Sequence, residues 1–214
     1  MALLKVKNLN FGYKSSTPIF NNLCCEINSS PFIHINGISG AGKTTLFKIF
    51  AGFIDATYDE LIISDIKICS EMDPYDRNIA MVFQKSALWQ HLTAWKNVKL
   101  AWNKKIISES ILNKWIENLD VKKLLNEKSS KLSAGEQQKV EITRALSSGK
   151  KILILDEPFA FQDKVNLDKL IQAIEEYRKI TDGVVIFSTH SVNANGYFSE
   201  QENIDMDIIM NYEL

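Results

Sequence analysis

Three stretches of this chain hold side chains whose types and spacing can do chemistry. The first, GISGAGKT from Gly37 to Thr44, matches G-x-x-x-x-G-K-[ST] in full. Glycines let backbone N–H groups curl around phosphate oxygens, and a helix start behind them adds a favourable dipole. Lys43 would reach the β- and γ-phosphates of a nucleotide, and Thr44 would ligate Mg²⁺. Around that pair, Gly37, Ser39, Gly40, Ala41, Gly42 and Thr45 complete the expected nucleotide-contacting set. The second stretch, ILILDEP from Ile152 to Pro158, brings Asp156 out at the end of an apolar run, where α/β sheets bind ligands. Asp156 would hold Mg²⁺, and Glu157 beside it could polarise an attacking water as general base. The third stretch, KLSAGEQQKV, sets Ser133 three residues before Glu136, a capping box that starts a helix.

These residues need elements to position them. PFIHING reads as a buried strand running straight into the Gly-rich turn, and KTTLFKIFAGF as the helix after it. LLKVKNLNFGY and LCCEINSS read as strands, DELIISDIKIC as a short hairpin or strand pair, and RNIAMVFQ as another buried strand. From about Leu88 to Lys150 the pattern turns helical. There Ile111, Leu112, Trp115, Ile116 and Leu119 share one face at helical spacing. Strands return in KILILDEP and VVIFSTH, short apolar runs of the kind found in parallel sheets. Between them Leu167, Leu170, Ile171, Ile174 and Tyr177 mark a crossover helix, and IDMDIIMNYEL reads as a closing edge strand. The expected arrangement is one sheet-based core with a helical insertion.

Composition narrows the function classes. The chain has 214 residues, enough for one fairly large domain, and 45% of them are hydrophobic, which excludes a disordered chain. A formal net charge of −1 gives no basic excess for nucleic acid. No apolar run reaches the ~18 residues of a membrane-spanning helix, and the charged N-terminus is unlike a signal peptide. Cys24, Cys25 and Cys69 lack metal-ligand spacing and read as small core residues in a reducing compartment. His34 and His91 have no matched role and read as structural or exposed.

The order of GISGAGKT, KLSAGEQQKV and ILILDEP resembles the ATP-binding-cassette (ABC) ATPases. KLSAGEQQKV is similar to the family signature, usually written LSGGQ, and the resemblance runs from Tyr13 to His190. It implies an α/β fold: a P-loop NTPase (RecA-like) core with an N-terminal antiparallel β-subdomain and an inserted α-helical subdomain. On that pattern residues 1–214 form a single domain. Residues 1–87 make the β-subdomain and the first part of the core, 88–150 the helical subdomain with the signature, and 151–214 the rest of the core.

The resemblance also implies site residues. Tyr13 matches the aromatic residue that stacks on adenine, and Gln84 the glutamine that contacts Mg²⁺ or water. His190 matches the switch histidine near the γ-phosphate. Two such domains would face head to tail, so Ser133, Ala134, Gly135 and Glu136 would meet the ATP held by the opposite chain. Some positions depart from the family pattern. Ala134 replaces the first signature glycine and Glu136 the usual glutamine, while AFQD after Pro158 and Phe159 keeps only Asp163 of the usual loop. No catalytic group is lost, so an active ATPase is expected.

By the same resemblance, the expected role is the ATP-hydrolysing subunit of an ABC transporter, peripheral on the cytoplasmic face of the membrane. Its expected partners are a second ABC ATPase domain (homodimer or heterodimer) and separate permease subunits, with a substrate-binding protein as a further candidate. Leu88, Trp89, His91 and Leu92 are candidates for the permease contact, since MDPYDRNIAMVFQKSALWQHLTAWKNV is similar to importer ATPases. Many importer relatives carry a C-terminal regulatory domain, which keeps short exporter-type ATPases in play. The competing expectation is a soluble ABC ATPase without transport, as in iron–sulfur assembly.

Overall fold

The computed structural model describes residues 3–13, 17–159, 164–189, 196–198 and 200–206. The chain divides into two compact units, Met1–Ile79 with Val184–Leu214, and Ala80–Gly183.

In the first unit β1 (Leu4–Phe11) and β2 (Phe20–Ile27) pair antiparallel, and β1 also pairs with β4 (Glu60–Ile63). Leu4, Val6 and Leu9 are buried, so strict alternation breaks between residues 6 and 9. Asn8 and Asn22 explain the break. Both take left-handed backbone, φ 52° and 53°, which asparagine tolerates better than most residues. The register with β2 slips there, as at a β-bulge. Side-chain amides hold the bulged backbone, with Asn10 Nδ2 donating to the Asn8 carbonyl and Asn22 N–H donating to Asn10 Oδ1, both at 2.8 Å. The expected hairpin is β4 with β5 (Ile66–Lys67). Its two turn residues, Ser64 and Asp65, are both left-handed (φ 51° and 61°), the hand that matches strand twist.

The unit's other strands run parallel. β3 (Phe32–Asn36) lies between β8 (Val184–Ser188) and β9 (Gln201–Asp205) and is parallel to both. β3 buries four consecutive residues and β8 all five, the unbroken run of a strand covered on both faces. The closing strand thus begins earlier than IDMD, at Gln201, and residues 207–214 lie outside the described set. His34 is structural: it is buried, stacks on Phe187 at 4.9 Å and bonds Asn203 Oδ1 through Nδ1 at 3.0 Å.

Helix α1 (Lys43–Ala51) buries Leu46, Phe47, Ile49 and Phe50. It stops at Gly52, φ 81°, where Gly52 N–H donates to the Ile49 carbonyl and Phe53 N–H to that of Lys48, a Schellman closure. Arg77, 4% exposed, adds a second donor at the Ile49 carbonyl (Nη1, 2.8 Å) and also donates to that of Phe50 (3.1 Å). A Cβ at position 52 would lie 2.6 Å from Arg77 Nε, so this closure requires glycine twice over.

In the second unit β6 (Ile79–Val82) and β7 (Ile152–Asp156) are neighbours. The remainder is helical: α2 (Ala94–Ala101), α3 (Glu109–Asn118), α4 (Ala134–Ser147) and α5 (Lys164–Thr181). Thr93 and Ser108 cap α2 and α3 through their hydroxyls. The predicted faces are largely the buried ones, with Leu112, Trp115 and Ile116 on α3 and Leu170, Ile174 and Tyr177 on α5. Buried aromatics also satisfy their polar ends: Trp115 Nε1 donates to Glu176 Oε2 (2.9 Å) and Tyr177 hydroxyl to the Lys150 carbonyl. Asn97, fully buried, ties the turn before α2 together. Its Oδ1 accepts from Trp89 N–H, and its Nδ2 donates to the carbonyls of Trp89 and Thr93 and to Ser129 Oγ.

The cysteines are not the core residues expected. Cys24 and Cys69 are exposed and Cys25 half-buried. β2 is an edge strand, so Cys24 and Cys25 sit where less is packed over them. Among the described residues no helix is long and apolar enough to cross a membrane, and no cluster of His, Cys, Asp and Glu could hold a metal alone.

Candidate functional site

The phosphate loop belongs to the first unit. It leaves β3 at Asn36 and delivers the chain to α1 at Lys43. Gly40 and Gly42 have φ of 89° and 88°, so the turn needs residues without a Cβ. At Gly42 space forbids one as well, since a Cβ would stand 2.9 Å from Ile19 Cγ2 and 3.0 Å from the Phe20 ring. Because Gly42 occupies the N-cap position, no side chain caps α1. The cap residue thus offers no acceptor to the first N–H groups of α1, which suits an anion-binding helix start.

Lys43 is 7% exposed, and its Nζ donates to the Gly37 carbonyl (2.6 Å) and the Ile38 carbonyl (3.1 Å). The ammonium is thus drawn back over its own loop, with carbonyls where phosphate oxygens could compete for it. Ser39 and Gly40 are exposed, Thr44 is half-exposed, and Ala41 and Thr45 are buried under the loop. Tyr13 is 49% exposed and meets Phe11 edge to face at 5.0 Å, which leaves part of its surface open for stacking.

The second unit holds the acidic pair and the signature. All five residues of β7 are buried, ending in Asp156 at 2% exposed. Glu157 follows at 9% exposed with φ 54°, a left-handed conformation uncommon for a residue with a Cβ. Gln84 is exposed, two residues beyond the end of β6 rather than within the strand. The capping box of α4 is present in both directions. Glu136 N–H donates to Ser133 Oγ (3.3 Å), and Glu136 Oε2 accepts from Ser133 N–H (2.9 Å) and Ser133 hydroxyl (2.8 Å). Bonds from the Ser133 backbone and then its hydroxyl hold the Glu136 carboxyl below its ordinary range. Ala134 is exposed and Gly135 half-buried. Of the permease candidates, Trp89 and His91 are exposed, Leu92 is half-buried and Leu88 is core. His190 and Asp163 lie outside the described residues.

Two polar groups on α4 have no counterpart in the sequence reading. Gln138 donates from Nε2 to the Glu157 carbonyl at 3.0 Å. Glu141, 1% exposed, accepts Ala87 N–H at both carboxylate oxygens, while Arg144 Nη1 donates to the Ala87 carbonyl (3.0 Å) and Nη2 pairs with Glu141 (3.3 Å). Burial pushes the Glu141 carboxyl up and the Arg144 guanidinium down from their ordinary values. Their spacing was the available signal. Positions 138, 141, 142 and 145 form one buried stripe on α4, and two of its four residues are polar.

Known proteins share this combination of elements. The family model described as ABC transporter matches residues 20–160, and the chain belongs to that family. It is 34% identical over 195 residues to the spermidine/putrescine import ATP-binding protein of Clostridium novyi, covering 88% of this chain and 55% of that one. It is also 34% identical over 194 residues to the maltose/maltodextrin import ATP-binding protein of Mannheimia succiniciproducens, covering 89% and 52%. The chain therefore spans about half the length of the curated relatives it matches. Among solved structures, the dimeric form of a bacterial ABC transporter cassette aligns with a TM-score of 0.77 at 27% identity, covering 95% of this chain and 94% of that one. A dimeric post-hydrolysis state of the same cassette, bound to ADP and Pi, aligns at 0.76 with 26% identity. The mixed α/β cassette with its antiparallel and parallel sheets is thus the fold that the motifs implied.

Proposed function

We propose that this chain is the ATP-binding and ATP-hydrolysing subunit of an ABC transporter, working through ATP-driven head-to-tail dimerisation and separate membrane subunits. The observation that carries the reading is the uncapped start of α1 with Lys43 folded back over its loop. The backbone N–H groups from Gly37 to Thr45 cradle the phosphates, Lys43 moves from its carbonyls to the β- and γ-oxygens, and Tyr13 stacks on the base. Glu157 polarises the attacking water, and His190 stands by the γ-phosphate. Ser133 through Glu136 serve the nucleotide of the opposite chain.

Mg²⁺ fits the donor set, since Thr44, Gln84 and Asp156 offer hard oxygen ligands and Asp156 is a buried carboxylate. When bound, the ion would offset the negative charge of the phosphates. The import ATP-binding relatives support permease partners and a place on the cytoplasmic face of the membrane. The dimeric cassettes support a second ATPase domain as partner.

Glu157→Gln tests the reading. Turnover should vanish, and an ATP-bound dimer should accumulate on gel filtration. Hydrolysis at the wild-type rate would remove Glu157 from the general-base role.

A further inference from the structure

Glu157 keeps a left-handed backbone at φ 54°, and such conformations cost on the order of 1 kcal/mol for a residue with a Cβ. They persist where the surroundings over-determine them. The described surroundings supply one such restraint from a distant part of the chain. Gln138 Nε2 donates to the Glu157 carbonyl at 3.0 Å, across 19 residues of sequence, and Gln138 itself is 9% exposed. Its Oε1 has no hydrogen-bond partner among the described residues. Turning the amide over would set two oxygens against each other, so the donor orientation is the one that fits. The support behind it is stiff. Val140, Ile142 and Leu146 bury α4, and its first turn is locked by the capping box.

We infer that Gln138 is a positioning residue for Glu157. Its amide pins the carbonyl, and with it the backbone torsions from which the Glu157 carboxylate projects. Small rotations there displace a side-chain end by about an ångström, enough to cost up to ~100-fold in rate when the group must meet a reacting water. This inference rests on Glu157 acting as the general base.

The test compares Gln138→Met and Gln138→Glu in the 214-residue chain. Methionine keeps the volume without a donor, and glutamate keeps the shape but brings an acceptor to the carbonyl. Both should lower kcat, by about 10- to 100-fold, while KM for ATP stays within about twofold. A merely structural role would instead lower thermal stability and raise KM together. Should Gln138→Glu fail to fold, Gln138→Met carries the test alone. A folded Gln138→Met chain with wild-type kcat overturns the inference, as does a loss confined to KM. Glu157→Gln run alongside separates the two failures. If that variant still hydrolyses ATP, the general-base reading falls. If it is dead while Gln138→Met is fully active, only the role of Gln138 falls.

Discussion

Helices α1 and α4 begin in opposite ways. At α1 the N-cap is Gly42, which has no side chain to offer, and the first turn contains no acidic residue. At α4 Ser133 and Glu136 bind each other reciprocally, so hydroxyl, carboxylate and backbone N–H are all engaged within the chain. The first start, with no side chain at its N-cap, suits a ligand that supplies negative charge. The second is satisfied in part, since the box engages the Ser133 and Glu136 N–H groups and the Ser133 hydroxyl. Under the proposed function, a phosphate that reaches the Ser133 hydroxyl must exchange with its bond to Glu136.

Three interventions would break or sharpen this contrast. The largest effect is expected from Lys43→Ala. Hydrogen bonds to a charged group are worth ~1.5–3 kcal/mol, so ATP should bind roughly 10- to 100-fold more weakly, as measured by equilibrium dialysis. Unchanged affinity would make α1 an ordinary helix start. Ser133→Ala comes second. It should cost ~1 kcal/mol of stability in urea denaturation through the lost cap. It should also abolish turnover while leaving ATP binding to the phosphate loop intact. Mixing it with the Lys43→Ala chain should restore part of the activity, because one complete site can form, and no rescue from two folded, dimerising chains would argue against shared sites.

The smallest effect concerns pH. The folded Glu136 carboxyl titrates below its ordinary value of 4.5. Its stabilisation is therefore complete above 4.5 and is lost as pH falls through the lower folded value. Glu136→Gln should flatten the dependence of Tm on pH as pH falls below about 4.5, only slightly because water screens the group. An unchanged slope would mean that the capping carboxylate contributes nothing.

What was legible in the sequence is what short-range rules encode. The glycine turn, the capping box, the Ser64–Asp65 hairpin and the unbroken runs of β3, β7 and β8 depend on neighbours a few residues away. Gln138, Glu141, Arg144 and Asn97 were missed because their meaning lies in partners far along the chain. Glu141 and Ala87 are 54 residues apart, and Asn97 and Ser129 are 32. Periodicity marks such positions as buried without naming the backbone groups they satisfy. The left-handed turn at Glu157 was hidden for a related reason, since glutamate carries no local preference for it. Cys24 and Cys25 were misplaced because the usual burial of cysteine is a statistical tendency, and an edge strand overrides it.

The Schellman closure and the Arg77 guanidinium make the far end of α1 a riveted joint. A side chain at Gly52 would collide with Arg77, and the Lys48, Ile49 and Phe50 carbonyls already accept bonds. Arg77 also grips the carbonyls of Cys69 and Met72, so the far end of α1 is tied to the backbone that follows β5. Under the proposed function, a nucleotide held at one end of α1 would act on a helix whose other end is tied to that backbone.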